Sequence, residues 1–149
     1  PDILIADDPT TALDVTLQAQ VLDLLAELVR ERGLALLLVT HDLAVVAELC
    51  RDLAVLYAGQ VVEQGATADI LARPAHPYSA GLLACSPDIA APRATRLPAL
   101  PGTVPGARDW PASCAFAPRC ARADDACRAA PVPVTSHAGR ALRCRHPLA

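Results

Sequence analysis

The chain has 149 residues, 53% of them hydrophobic, with a formal net charge of -3 at pH 7; every one of its 13 basic residues is Arg. That length allows one modest core with an appended module and excludes two full-sized domains, and the mildly acidic balance leaves no electrostatic footprint for nucleic acid or an anionic membrane. No stretch approaches the roughly 20 continuous apolar residues of a membrane span and no secretory signal pattern stands out, so the cytoplasm is the expected compartment.

Residue 1 is a Pro that leads straight into an apolar run, with no initiator Met; the expectation is a piece of a longer polypeptide. "ILIA" is short, continuous and branched, the pattern of a parallel strand covered on both faces. After "DPTTALD", the residues Leu17, Val21, Leu24, Leu25 and Leu28 recur at helical spacing. With Asp14 or Thr16 as N-cap and Gly33 past the end, a helix is predicted over about 15–31. "LALLLVT" (Leu34–Thr40) reads as a second buried strand, and "LAVVAELC" as a short helix.

"DLAVLYAGQVVEQG" then predicts two strands joined at Gly59, giving an α/β sheet with an antiparallel edge. A turn of helix is predicted from Thr67 to Leu71, and another helix in "HPYSAGLLA" with Pro77 in its first turn. Residues 87–112 hold six prolines and three Arg, the composition of an extended connector. The last stretch, 113–149, has too few large apolar residues for a core of its own, so a cross-link or a metal is expected to hold it.

Two strands ending in polar groups are informative. Asp7 and Asp8 follow the first, His41 and Asp42 the second, and in open α/β sheets ligands bind outside the carboxyl ends of the strands. Adjacent carboxylates suit the holding of Mg²⁺ and the activation of a water against a phosphate, with a histidine to hydrogen-bond the terminal phosphoryl group. The plainer alternative makes Asp8 a turn residue before Pro9 and His41 a cap of the next helix.

Taken together, "ILIADDPTTALDVTLQAQVLDLL" and "LLLVTHDLAVVAELCRDLAVLYAGQVVEQG" resemble the second half of an ABC ATPase nucleotide-binding domain, over residues 1–86. The resemblance implies an α/β fold: the C-terminal half of a P-loop NTPase domain. It also implies that Asp7 helps hold Mg²⁺ with ATP, that Asp8 stands at the catalytic carboxylate position usually filled by Glu, and that His41 is the switch histidine at the γ-phosphate. Asp14 would lie in the D-loop facing a second ATPase subunit. Asp is one methylene shorter than Glu, about 1.5 Å, so reduced hydrolysis is expected. The chain contains no G-x-x-x-x-G-K-[ST] loop and no "LSGGQ"-like signature; alone it is expected to be inactive.

Cys114, Cys120, Cys127 and Cys144 are spaced C-x5-C-x6-C-x16-C. In a chain of cytosolic character a metal or cluster is the better candidate than a disulfide, and the spacing itself leaves zinc and iron–sulfur open. His137 and His146 are possible zinc ligands or simple surface residues, and Cys50 and Cys85 are expected to be small buried residues. "HPYSAGLLACSP" and "PASCAFAPRCARADDAC…RCRHP" resemble the C-terminal extension of dipeptide and oligopeptide importer ATPases. This implies a structural [4Fe-4S] cluster on the four cysteines, zinc being the alternative, with Phe116 and Arg119 as local structural residues and Ser113 where a Gly is usual.

The expected organisation is thus a partial ABC ATPase domain over 1–86, a connector over 87–112 and a cysteine-rich extension over 113–149. The expected function is that of an ATP-hydrolysing subunit of a peptide importer, peripheral on the cytoplasmic face of the membrane. Its expected partners are a second ATPase subunit (homo- or heterodimer), inner-membrane permease subunits and, indirectly, an extracytoplasmic solute-binding protein, with no nucleic acid. The alternative is a soluble ABC-type ATPase whose metal module docks a macromolecule; a third reading is an inert truncation with an exposed sheet edge.

Overall fold

The computed structural model describes residues 1–86 and 99–148, in two compact units, Pro1–Cys50 and Arg51–Ala149. The first part of the expected connector, 87–98, lies outside the described residues.

The first unit runs β1 (Ile3–Asp7), α1 (Val15–Arg32), β2 (Ala35–Val39) and α2 (Leu43–Leu49). β1 and β2 pair in parallel, Ile3 opposite Ala35 and Asp7 opposite Val39, so α1 is the crossover of a strand–helix–strand unit. The start and stop of α1 were written in the sequence. Asp14 accepts from the Leu17 amide at 2.9 Å, and Gly33 takes a left-handed φ of 62° while its N–H bonds to Val29 O, closing the helix as glycine does without a Cβ penalty.

Burial in this unit departs from expectation in two ways. β1 is not covered on both faces: Ile3, Ile5, Leu37 and Val39 are exposed, while Ala6 is buried and Leu4, Leu36 and Leu38 are half-buried. Side chains alternate across a strand, and among the described residues only one face of this two-stranded sheet is covered. The buried centre of α1 is Leu22, whereas Leu17 and Leu24 are exposed. Apolar residues surround this helix on several sides, so their spacing alone did not single out the inward face.

The second unit begins with β3 (Asp52–Tyr57) and β4 (Gln60–Ala66), followed by α3 (Thr67–Ala72) and α4 (Pro77–Cys85). The hairpin turn is Ala58-Gly59, with φ of 46° and 71°, the doubly positive geometry of a two-residue type I′ turn. Beyond two short 3₁₀ turns at Ala107–Asp109 and Ala117–Arg119 come α5 (Asp125–Ala129), β5 (Thr135–His137) and β6 (Arg140–Leu142).

The β3–β4 hairpin is not an edge of the parallel sheet. It belongs to a separate antiparallel sheet of order β3-β4-β6-β5, because the free edge of β4 pairs with β6 at Glu63↔Leu142 and Gln64↔Ala141. The cysteine-rich stretch, expected to need a cross-link or a metal for want of a core of its own, shares a core instead: Ala115 and Phe116 enter one cluster with Val55, Tyr57, Val62 and Ile70. Phe116 stands edge-on to Tyr57 at 5.2 Å between ring centroids, a favoured aromatic arrangement. Arg119 holds the approach to this core, donating through Nη1 to the Tyr57 hydroxyl and through Nη2 to Leu100 O, both at 3.4 Å.

A buried polar knot joins β4, β6 and the turn before α4. Glu63, with no exposed surface, accepts from the Ala75 amide at 2.9 Å, the His76 amide at 3.0 Å and Arg140 Nη1 at 2.9 Å. Arg140 also donates to Arg73 O at 2.6 Å. His76 is buried, and its Nδ1 accepts from the Tyr78 amide at 3.0 Å, so the imidazole caps α4.

Candidate functional site

Asp8 and His41 are brought together by the carboxyl ends of β1 and β2. The Asp8 amide donates to Val39 O at 2.8 Å, extending the strand pairing by one residue, and the chain then turns, with Thr11 N–H bonding to Asp8 O at 3.1 Å. Asp8 sits at φ 47°, in the left-handed region that Asp tolerates better than most residues. His41 Nδ1 lies 3.2 Å from Asp8 Oδ1, with the histidine side chain 80% exposed. That oxygen is shielded from solvent and has no aligned hydrogen bond; the contact is one of proximity.

His41 is not the cap of α2. Asp42 is, accepting from the Ala44 amide at 2.9 Å and the Val45 amide at 3.4 Å, while its other oxygen takes a bond from Gln18 Nε2 at 3.3 Å. Relieved of capping, the imidazole is free to meet a ligand. Asp7 lies on the exposed face of β1 with Ile3 and Ile5. Asp14, exposed, serves α1 as its cap. The arrangement offers solvent an Asp8 side chain that is 40% exposed beside a largely exposed imidazole, a pairing suited to orienting and deprotonating a water.

The four C-terminal cysteines converge. Cys114, Cys120, Cys127 and Cys144 all line one pocket, together with His76, Arg122 and His146. All four are free thiols. The Cys114 amide donates to Cys127 O at 3.1 Å, fixing the first and third of the set. Burial pushes the Cys127 and Cys144 thiols above the ordinary range, and for Cys144 the neighbouring Cys114, Cys120 and Cys127 add to the rise. Cys50 and Cys85, expected to be buried, are each half-buried.

Sequence reasoning passed over Asp124. It caps α5 by accepting from the Cys127 amide at 2.9 Å and meets His146 Nε2 at 2.9 Å. Chiefly the Cys127 amide bond holds its carboxyl down to about 2. The signal was an acidic residue three positions before a cysteine at a helix start, the pattern of an N-cap.

Residues 62–127 match the family described as "Oligopeptide/dipeptide transporter, C-terminal region". Over 96% of this chain, a putative peptide import ATP-binding protein of Brucella ovis is 47% identical. The dipeptide transport ATP-binding protein of Escherichia coli is 50% identical over 99% of this chain, and a probable D,D-dipeptide transport ATP-binding protein of the same organism 51% over 88%. The chain spans 45%, 45% and 40% of those relatives' lengths, respectively. Among solved structures, cbiO1 of Clostridium perfringens, part of an ABC transporter complex, aligns over 48% of this chain and 29% of its own at 33% identity, with a TM-score of 0.45.

Proposed function

We propose, since the chain belongs with the ATP-binding proteins of oligopeptide and dipeptide importers, that it supplies the hydrolytic end of an ATPase subunit energising peptide import. The observation that carries this is the meeting of Asp8 and His41 at 3.2 Å beyond two parallel strands, at the positions where such ATPases place the catalytic carboxylate and the switch histidine. In this reading residues 1–86 belong to the P-loop ATPase domain, 87–112 connect, and 113–149 form the importer-type extension.

Asp7 would hold Mg²⁺ at the phosphates, where the ion neutralises charge on the transferring group. The roles of the neighbouring side chains follow from their placement. The Asp8 carboxylate, its Oδ1 shielded beside His41 but its side chain 40% exposed, accepts the hydrogen bond of the attacking water through its other oxygen and orients it. The exposed imidazole of His41 reaches the terminal phosphoryl oxygens. Asp14, exposed in the loop that caps α1, faces a second ATPase subunit. The assembly works peripherally on the cytoplasmic face, with permease subunits and, through them, a solute-binding protein. Among the described residues no helix is long and apolar enough to cross a membrane. The relatives' names, all of peptide transport, favour this over an ATPase that docks a macromolecule.

The convergence of four free cysteines on one pocket supports their holding a [4Fe-4S] cluster, with zinc as the alternative. The donor set fits: a cubane takes four thiolates, and none of the four is spent in a disulfide. Its service here is structural, tying Cys144 to Cys114 across a segment that borrows its core from β3 and β4.

The direct test is ATP turnover by the full-length protein with Asp8→Glu. A carboxylate set back by about 1 Å costs up to about a hundredfold in rate, so the variant should hydrolyse ATP faster, with little change in nucleotide affinity. An unchanged rate would remove the weak-site reading of Asp8.

A further inference from the structure

We propose that Gln18 is a positioning residue for His41, acting through Asp42; the inference rests on the ATP-hydrolysing reading of Asp8 and His41 given above. Gln18 Nε2 donates to Asp42 Oδ2 at 3.3 Å across 24 residues of sequence, joining the first turn of α1 to the loop that carries the histidine.

The His41 side chain is 80% exposed, with Asp8 Oδ1 at 3.2 Å. Packing does little to place so open a ring, so its reach is set by the backbone on either side. That backbone is tied down. The Asp42 amide donates to Thr40 Oγ1 at 3.1 Å, closing a small ring around His41, and Asp42 Oδ1 accepts the Ala44 and Val45 amides at 2.9 and 3.4 Å. A cap needs only one carboxylate oxygen. The second, at a half-buried position, is taken by Gln18 in a charge-assisted bond. Gln18 is itself well anchored: its amide donates to Asp14 O at 2.8 Å, one turn beyond the cap of α1. The segments that follow β1 and β2 thus meet twice. Asp8 meets the ring of His41, and Gln18 holds the residue that fixes its backbone.

A bond that served only stability would respond differently to substitution. Glu is as good a helix former as Gln, and a carboxylate in a first turn suits the helix dipole. Gln18→Glu therefore leaves α1 intact while setting two carboxylates against each other at the Asp42 contact, which displaces the loop and the histidine with it.

The test is steady-state ATP turnover by the full-length protein, with thermal unfolding followed in parallel. Gln18→Glu should lower kcat by about tenfold, since small misplacements at a reacting group are costly, with a lesser change in KM. Adding Asp42→Asn sets an amide against the new carboxylate and keeps the cap of α2. The bond then forms with donor and acceptor exchanged, and most of the lost kcat should return. In a His41→Ala background Gln18→Glu should cost nothing further, because residues acting through one group are not additive. An unchanged kcat in Gln18→Glu, a loss that Asp42→Asn does not repair, or a loss of equal size without His41 would overturn the proposal. Should Gln18→Glu unfold at a lower temperature, the exchanged pair decides: recovery of thermal stability without recovery of kcat marks a structural bond and overturns it. His41→Ala alone reads the ATPase assignment separately. Full turnover in that variant removes the ATPase reading and this inference with it, whereas turnover lost there but intact in Gln18→Glu overturns this inference alone.

Discussion

His76 shows how a single side chain couples this fold to pH. It is 1% exposed, and burial, opposed in part by the Glu63 charge, lowers its pKa from the usual 6.5 to about 4. The native state thus keeps the ring neutral, with Nδ1 free to accept from Tyr78, where the unfolded chain binds a proton. This stabilisation is fully present above about pH 6.5 and is lost as pH falls toward 4, amounting to about 3 kcal/mol at the end of that range. Denaturation of the full-length protein, followed by the fluorescence of Trp110, should show that fall, and His76→Asn should flatten it. At the same scale, Asp14 was legible as a cap because a short acidic side chain preceded a helical pattern. His76 was not: a histidine before a proline reads as surface until the burial of its neighbours is known.

Between elements, the Glu63–Arg140 pair carries the join of β4 to β6. Both side chains are buried, Arg140 at 8% and Glu63 at 0% exposure. Removing one partner leaves the other charged and unpaired, so Arg140→Met should destabilise the second unit by about 3 to 5 kcal/mol; chemical denaturation measures it. The paired replacement Glu63→Gln with Arg140→Met should recover part of that loss, since no lone charge then remains buried. The first hairpin was legible from Ala58-Gly59 between alternating strands. The second, turning at Ala138-Gly139 with φ of 48° and 79°, bears the same dipeptide and was passed over because its strands are only three residues each and nearly lack apolar alternation. Its partner strand lies 77 residues away at the Glu63–Arg140 contact, a pairing no local pattern announces.

At the scale of the whole molecule, the strand–helix–strand order and the polar strand ends were readable from residues 1–50, because a parallel crossover writes itself in local periodicity and caps. The antiparallel sheet uniting β3 and β4 with the C-terminal hairpin was not, since it depends on a long-range edge. The candidate site's legibility followed the same division: strand ends and family resemblance singled out Asp8 and His41, which the fold brings within 3.2 Å, and spacing singled out the four cysteines, which line one pocket. The Asp124–His146 contact, spanning 22 residues, required the fold. The ATPase reading turns on Asp8 and His41 acting together, and groups that act as a unit are not additive when removed. The most direct measurement is therefore a double-mutant cycle on ATP turnover by the full-length protein, using Asp8→Asn, His41→Ala and the pair. The account predicts that each single change lowers turnover by at least about a hundredfold and that the double variant is scarcely worse than the more damaged single one. Turnover untouched by either change, or losses that simply multiply, would contradict it.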